Sequence, residues 1–216
     1  VVESSDDSRS NLVLFSGGTE RGTAPSSSTA YRSFQQDGEL IRVILEVHDG
    51  GRKNNVLHVT EVMVRPASSG PEWIEISNPN HFAVALKGWS LNHTSGSTST
   101  NLLMQSGVLS GQSLSLLTGD PSSQVVGNAT HVVDLGSKGF LGVGQLDGLD
   151  NSQGVLSLRY TQLDETTPSD VALIEWGVGT ELFLITGESL VWDGSDRFDS
   201  SAWAIQGDPT PGDYDG

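Results

Sequence analysis

The sequence predicts an all-β fold, a sandwich or a barrel, and three observations carry that prediction. Short runs of alternating or β-branched residues recur along the chain, as half-buried strands require. Turn-forming residues separate these runs, and 26 glycines among 216 residues supply many of the turns. No stretch keeps the 3.6-residue apolar period of an amphipathic helix. Many short strands joined by such turns are typical of sandwiches and barrels.

The densest strand pattern lies in residues 72–91. Residues 72–76 read Glu-Trp-Ile-Glu-Ile and alternate as a strand with one buried face does. Residues 77–80, Ser-Asn-Pro-Asn, predict a turn, because proline cannot donate to a ladder and asparagine favours turns. Two apolar runs follow at 82–86 and 89–91. The stretch therefore predicts two or three short strands.

The rest of the chain repeats this pattern less densely. The run at 39–48 is apolar nearly throughout, which indicates burial on both faces or a position at a domain junction. Polar residues at 92–100 and over most of 122–154 predict loops, and short apolar pieces stand at 102–104 and 108–109. We predict further strands at 39–48, 57–64, 113–117, 131–133, 155–160, 171–176 and 181–185.

The first 55 residues have a different character. Residues 1–35 are dominated by serine, threonine, glycine and aspartate, a composition that predicts a linker or disorder. Their one apolar island, Leu12-Val13-Leu14-Phe15, is a candidate interaction site that would lie along a sheet edge in this molecule or in the next one. We assign residues 1–55 to an N-terminal arm with an extra strand, which serves assembly or ends a preceding domain.

Charge and composition restrict the partners. The formal net charge is −16, from 27 acidic against 11 basic side chains. Such a chain repels phosphate backbones, so we predict no nucleic-acid partner. No apolar run approaches the ~18 residues of a membrane span, so we predict no membrane insertion. Cysteine is absent, and together with the acidic surface this leads us to expect an extracellular or cell-surface protein that does not depend on disulfides.

Five landmarks in fixed order add a family resemblance. They are Thr60-Glu61-Val62, Glu72–Ile76 with Asn78-Pro79, Val84–Leu91, Leu149–Gly154, and Trp203 followed by Pro209–Gly212. In this order they resemble the lamin-tail domain, an immunoglobulin-like β-sandwich family. The resemblance implies such a sandwich over residues 56–212, with an N-terminal extension, and leaves 213–216 as the start of a linker or calcium loop.

The resemblance also carries expectations about setting. Copies of the domain outside nuclear lamins resemble modules of secreted microbial proteins, beside hydrolases or adhesion domains. The cysteine and basic patches of the nuclear lamins are absent here, so chromatin binding does not carry over. Residues 122–147 are longer and richer in glycine than a minimal copy needs, and 1–55 lie outside the resemblance.

No catalytic motif is present in the sequence, and we predict that the protein is not an enzyme. Glu72 and Glu75 stand three apart on one predicted strand, so they point to opposite faces and cannot act as an acid–base pair on one substrate. We expect them to accept loop amides or to pair with Arg65. The five histidines lack zinc-type spacing, and no Gly-x-Ser-x-Gly elbow occurs.

Aspartate-rich loops are the candidate metal sites. Calcium prefers six to eight hard oxygens from flexible loops, and alternating aspartate and glycine supply them. The candidates are Asp193, Asp196 and Asp199 in one loop, Asp147 and Asp150 in another, and Asp213 and Asp215 in a short match to a calcium loop. The alternative is that these are solvated acidic loops and an acidic tail.

The tryptophans raise the question of sugar stacking. Trp89 shares a face with Leu91 and Trp176 ends an apolar strand, so both are expected in the core. Trp73 faces away from Ile74 and Ile76, and it is the tryptophan that we expect to be exposed.

Two functional hypotheses follow from the sequence. The first is a non-enzymatic extracellular module for structure, tethering or assembly, which presents a rigid sandwich to a protein partner or to another copy through its arm or a sheet edge. The alternative is a calcium- or carbohydrate-binding accessory module of a larger secreted enzyme, with a neutral polysaccharide as its ligand.

Overall fold

The structure is a computed structural model that describes the chain in two parts. Before residue 47 it describes the backbone of strands at 2–4, 12–13, 23–24, 29–36 and 39–46. From residue 57 to residue 213 it describes the whole chain except 68, 82, 105–106, 144–147 and 162–165.

The elements of the described chain are strands and one turn of 3-10 helix at Ser200–Ala202. The strands are β1 Val2–Ser4, β2 Leu12–Val13, β3 Thr23–Ala24, β4 Thr29–Gln36, β5 Glu39–Glu46, β6 His58–Met63, β7 Trp73–Asn78, β8 Val84–Ala85, β9 Trp89–Ser95, β10 Thr98–Leu103, β11 Val108–Leu109, β12 Ser113–Thr118, β13 His131–Asp134, β14 Gly154–Tyr160, β15 Ser169–Trp176, β16 Ser189–Trp192 and β17 Trp203–Gln206. The predicted all-β class is confirmed.

Two sheets form the main body. The larger has six strands in the order β13-β12-β7-β6-β16-β17, and the smaller has four in the order β10-β9-β14-β15. All their pairings are antiparallel except that of β12 with the edge strand β13, which is parallel. The parallel pair requires a crossover, and residues 119–130 supply it.

Alternate residues of both sheets meet in one hydrophobic core. Val62 and Ile74 of the larger sheet and Leu91, Leu158 and Ile174 of the smaller are fully buried members of the same cluster. Two sheets that share one core have the arrangement of a β-sandwich. Trp89 and Trp176 lie in this core, as predicted.

The outer face of the larger sheet is also covered. Trp73, Met63 and Leu116 form a second buried cluster there, with Val126 and Ala129 of the crossover packed against it. Trp73 is only 3% exposed, so the prediction that it faces solvent is wrong. The alternation did place its side chain opposite Ile74 and Ile76, but alternation does not reveal that a loop covers the second face.

None of the tryptophans offers a stacking surface. All five are buried, with relative exposures from 0% to 6%. The tryptophans therefore provide no flat aromatic face on which a sugar could stack.

The stretch 92–100, predicted as a loop, is instead part of the β9–β10 hairpin. Ser95 pairs with Thr98 across a two-residue turn in which Gly96 has φ of +56°. The side chains of β10 are mostly exposed, so no apolar pattern marked the strand. Its backbone ladder, and the Asn92 amide that donates to Ser99 Oγ, hold it in place.

The prediction of a strand at 181–185 is wrong, because here an alternating pattern is present without a strand. Leu182 and Leu184 are buried while Phe183 and Ile185 are exposed, so the side chains do alternate. The segment nevertheless pairs with no strand in the described part of the chain. The backbone amide of Ile185 is satisfied locally, because it donates to Glu188 Oε2. An alternating pattern therefore predicts which side chains are buried, but it does not predict whether another strand pairs with the segment.

Smaller differences concern strand limits. The run at 82–86 forms a strand only at Val84–Ala85, which pairs with β11. Strands β16 and β17 were not predicted, although they complete one side of the larger sheet. The other predicted strands are present with limits that differ by up to four residues. The run predicted at 39–48 contains β5 at Glu39–Glu46, and its last two residues lie outside the described residues.

The N-terminal strands make two further sheets. One has the order β1-β4-β5, and the other pairs β2 with β3. The composition of residues 1–35 indicated a linker, yet residues 29–36 form β4 and pair with β5 along all eight residues. Leu12 and Val13 of the proposed interaction island pair with Ala24 and Thr23, while Leu14 and Phe15 lie outside the described residues.

Replacing Trp73 with alanine tests the burial of the outer face. Loss of a fully packed aromatic side chain costs about 3–5 kcal/mol of unfolding free energy. We expect a loss in that range for Trp73→Ala by urea denaturation, and little change for Val125→Ala, whose valine is exposed. Equal stabilities for Trp73→Ala and the parent protein would contradict the buried position.

Candidate functional site

Three buried glutamates organise the larger sheet. Glu61 lies on β6, Glu75 lies opposite it on β7, and Glu72 immediately precedes β7. All three are buried, and each accepts hydrogen bonds from segments far away in the sequence. A buried carboxylate requires such donors, because transfer out of water is otherwise costly.

Glu72 holds the loop before β14. Its carboxylate accepts hydrogen bonds from the backbone amides of Gly142, at 2.7 Å, and Leu149, at 2.9 Å. Its own backbone amide donates to the carbonyl of Gly142 at 3.0 Å. Gly148 has φ of +109°, and a Cβ there would collide with the Glu72 carboxylate, so the loop backbone lies directly against it. The predicted role of accepting loop amides is confirmed for Glu72.

Glu75 and Glu61 hold the C-terminal segment 209–213. Glu75 accepts from Thr60 Oγ1 at 2.5 Å and from the amide of Gly212 at 2.6 Å. Glu61 accepts from Ser189 Oγ at 2.5 Å and from the amide and hydroxyl of Thr210 at 3.2 and 3.1 Å. We call Glu61, Glu75 and the segment 209–213 the C-terminal clasp. Arg65, the other predicted partner of the glutamates, instead donates to the carbonyl of Leu184.

The clasp also holds the crossover loop. The amide of Asn128 donates to the carbonyl of Gly212 at 2.9 Å, and Asn128 Nδ2 donates to Asp213 Oδ1 at 2.6 Å. Since Val126 and Ala129 of this loop cover Trp73, the clasp indirectly seals the outer face. Asp213, a predicted calcium ligand, is used here as a hydrogen-bond acceptor.

Burial sets the proton affinity of the clasp. It raises the pKa of both Glu61 and Glu75 from the ordinary 4.5, and the hydrogen bonds to each carboxylate oppose that rise. The charge of Glu61 also raises the pKa of Glu75. Glu72 and Glu75, for which the sequence predicted a scaffold role, do not line the cavity described below, and that prediction fits their positions.

The predicted aspartate loop caps its own turns. Asp193 accepts from the amide of Ser195, Asp196 from that of Phe198, and Asp199 from that of Ser201 at the start of the 3-10 helix. The hydroxyl and the amide of Ser195 lower the pKa of Asp193, and the amide and the hydroxyl of Ser201 lower that of Asp199. Three carboxylates that each serve a separate turn are not gathered around a common point.

Asp150, another calcium candidate, also accepts hydrogen bonds from serine side chains. Asp150 accepts from the hydroxyls of Ser95 and Ser152, both at 2.6 Å, and these bonds, Ser152 first, lower its pKa to about 2. Asp147 and Asp215 lie outside the described residues. Within the described residues, no three histidine, aspartate or glutamate side chains form a group that could hold a metal ion. Calcium binding stays a prediction.

Two histidines pack against tryptophans. The His58 ring meets Trp192 edge-on at 4.8 Å, and burial, aided by the charge of Arg197, lowers the pKa of His58 to about 4. His93 stacks on Trp176 at 5.7 Å, and its Nε2 accepts from the amide of Asp150. Both histidines serve packing, in line with the absence of zinc-type spacing.

An apolar groove opens on the surface of the sandwich. It has a volume of about 850 Å³ and is lined by residues from both sheets, among them β12 and β13 of the larger and β10 of the smaller. Its floor includes the buried side chains of Ile76, Leu109, Leu117 and Leu135. Its polar members are Ser115, Thr130, His131, Asp134 and Lys138.

The rim of the groove is apolar and exposed. Leu103, Val108, Val132 and Val133 line it and are 51%, 58%, 39% and 37% exposed. The groove runs between β10 and β13, which are the edge strands of their sheets. Sequence reasoning found the apolar pieces at 102–104, 108–109 and 131–133 but missed the groove, because only the packing of the two sheets brings these pieces together.

Comparison with known proteins assigned no family to the chain. No family model matches the sequence, and no curated protein matches it. In the part of the chain that the structure describes, none of the helices is long and apolar enough to cross a membrane.

Glu72→Ala tests the anchoring of the 140–149 loop. It leaves the buried amides of Gly142 and Leu149 without their acceptor, and each unsatisfied donor costs about 1–3 kcal/mol. We expect a loss of about 3 kcal/mol or more of unfolding free energy, with faster hydrogen exchange at these two amides. Glu175→Ala, at an exposed glutamate of β15, is the matched control and should change neither measurement. Unchanged exchange in Glu72→Ala would refute the anchor.

The clasp should make stability depend on pH. The raised pKa of Glu61 and Glu75 means that the folded state holds these protons more tightly than the unfolded chain does. The stability that this supplies is complete below about pH 4.5 and is lost as the pH rises through the raised values. Glutamine resembles the protonated acid, because the hydroxyls of Thr60 and Thr210 can turn to accept from its amide.

The measurement compares unfolding free energies between about pH 4.5 and 7. We expect Glu61→Gln and Glu75→Gln to lose less stability over this range than the parent protein does. His58, whose lowered pKa acts in the opposite direction, is common to all three proteins and cancels in the comparison. Glu181→Gln, at an exposed glutamate, should follow the parent. Parallel curves for the parent and both clasp variants would show that the clasp does not titrate in this range.

Proposed function

We propose that the protein is a non-enzymatic structural and tethering module that presents a rigid β-sandwich to a partner. The observation that carries this proposal is the use of the buried glutamates. Glu61, Glu72 and Glu75 are each occupied in fixing a distant loop or the C-terminal segment to the larger sheet. A sandwich whose loops are fixed in this way is rigid, and rigidity suits a module that presents its surface to a partner.

The finer fold assignment, an immunoglobulin-like sandwich of the lamin-tail type, belongs to the same proposal. The landmark residues of the resemblance occupy structural positions: Glu61 and Glu75 anchor the clasp, Trp89 is in the core, and Gly212 closes the clasp against β7. Landmarks that hold a fold together are what a structural family would share. The structural roles of these four residues therefore support the resemblance.

We further propose an extracellular or cell-surface setting. The formal charge of −16 and the absence of cysteine suit a soluble surface that does not depend on disulfides. The alternative, a calcium- or carbohydrate-binding accessory module, has weaker support. Its aspartates cap turns and its tryptophans are buried. Calorimetric titration with calcium, repeated on Asp193→Ala and Asp196→Ala, discriminates the two functions.

The N-terminal arm is the proposed route to assembly. The first 35 residues hold four acidic and three basic side chains, so nearly all of the negative charge lies on the rest of the chain. A nearly neutral arm can approach an acidic sandwich with less repulsion than a second sandwich can.

Deleting residues 1–35 tests this route. We expect the intact chain to sediment as a higher-order species and the shortened chain to sediment as a monomer. Circular dichroism of both proteins controls for loss of the fold. Identical sedimentation of the two chains would refute assembly through the arm, while the tethering role would still be open to partners of other kinds.

A further inference from the structure

We propose that the groove between β10 and β13 binds an extended, positively charged peptide segment that adds as a strand to a sheet edge. The inference rests on the proposed tethering function and deepens it, because it names the surface and the chemistry of the partner. Four observations carry it: the apolar lining, the two edge strands, the exposed rim and the charge of the chain.

The lining gives the groove its affinity for apolar side chains. A floor of Ile76, Leu109, Leu117 and Leu135 continues directly from the core of the sandwich. Transfer of apolar side chains from water to such a floor is favourable. The rim residues Leu103, Val108, Val132 and Val133 remain partly exposed in the chain alone. A contiguous apolar surface of this kind, with a polar surround, is typical of a binding site.

The edge strands select an extended peptide as the occupant. Among the described strands, β13 pairs only with β12, and β10 pairs only with β9. Each therefore keeps one edge on which backbone amides and carbonyls can pair with an added strand. Four residues of β13 span roughly 13 Å, so they match a peptide strand of about four to six residues. Alternate side chains of that strand would reach the groove and the others would face solvent.

Charge selects a cationic partner over a second copy. Two copies of this chain each carry −16, and their approach groove to groove is opposed by repulsion. Around the groove itself, Asp134 and Lys138 balance, and His131 is the remaining titratable side chain that lines it. The field that steers a partner therefore comes from the whole chain, and it favours basic residues on the solvent-facing positions of the peptide.

The test uses a labelled peptide of alternating lysine and valine, seven residues long, and fluorescence anisotropy with the full 216-residue chain. A peptide of the same composition with its valines in one block has the same charge but cannot place them on one face. We expect the alternating peptide to bind at least about tenfold more tightly, which corresponds to about 1.4 kcal/mol. Equal binding of the two peptides would show electrostatic attraction without a site and would overturn the proposal.

Backbone methylation tests the strand pairing. Two further peptides carry N-methyl groups on alternate amides, one on the odd and one on the even positions. An added strand uses only one set of its amides in the ladder, so we expect one methylated peptide to bind and the other to lose binding. Equal affinity of the two would exclude strand addition.

Valine-to-threonine substitutions locate the site with little change of shape. The double variant Val132→Thr and Val133→Thr places hydroxyls on the groove rim, and Val125→Thr with Val178→Thr makes the same change at exposed valines that do not line it. We expect about tenfold weaker peptide binding in the first pair and parental binding in the second. Equal effects of the two pairs would place the peptide elsewhere.

Removal of residues 1–35 separates this inference from the proposed function. Peptide affinity should be unchanged by the deletion, whatever the deletion does to sedimentation. A rise in affinity would mean that the arm itself occupies the groove, which overturns the proposed partner but leaves tethering intact. If the alternating peptide does not bind the intact chain while assembly still depends on residues 1–35, the inference about the groove fails and the proposed function stands.

Discussion

The structure depends on three carboxylates that are buried between strands and loops. Removing a carboxylate from water costs several kcal/mol unless donors replace the water. Here Glu61, Glu72 and Glu75 together accept from backbone amides and hydroxyls of four chain segments: β6, the 140–149 loop, β16 and the segment 209–213. The loops supply the hydrogen-bond donors that the buried glutamates require, and the glutamates in turn hold the loops in place. Polar groups that satisfy one another in this way specify a single loop arrangement, which apolar contacts alone do less well.

This constraint divides the sandwich into a closed face and an open end. On the outer face of the larger sheet, the C-terminal clasp holds the crossover loop over Trp73, so a face that could have been a surface is covered. At the β10 and β13 edges, side chains from the core continue into a groove whose rim is exposed. Exposure of apolar residues there lowers solubility and brings the hazards of an unprotected edge. The contrast between the covered outer face and the open groove is what supports the proposed use of the groove.

The fold class was readable from the sequence, because it depends on local signals. Alternation, turn residues and the absence of a helical period placed most strands of both sheets within a few residues, and Glu72 was correctly assigned to loop amides. What failed depends on tertiary contacts. The polar strand β10 has no apolar pattern, Trp73 is covered by a loop distant in sequence, and residues 182–185 alternate without pairing. The groove could not be predicted, since its members come from strands that meet only after both sheets have packed.

The charge of the chain links these features to partner choice. A partner meets the exposed acidic side chains first, because Glu61, Glu72 and Glu75 are buried. The field that a partner meets comes from exposed aspartates, which lie in loops and are held ionised by turn hydrogen bonds that lower the pKa of Asp120, Asp193 and Asp199. The exposed aspartates thus stabilise their turns and also give the protein surface its negative charge. A neutral or acidic partner would gain only the apolar contacts of the groove, whereas a basic extended segment would gain those contacts and the long-range attraction together.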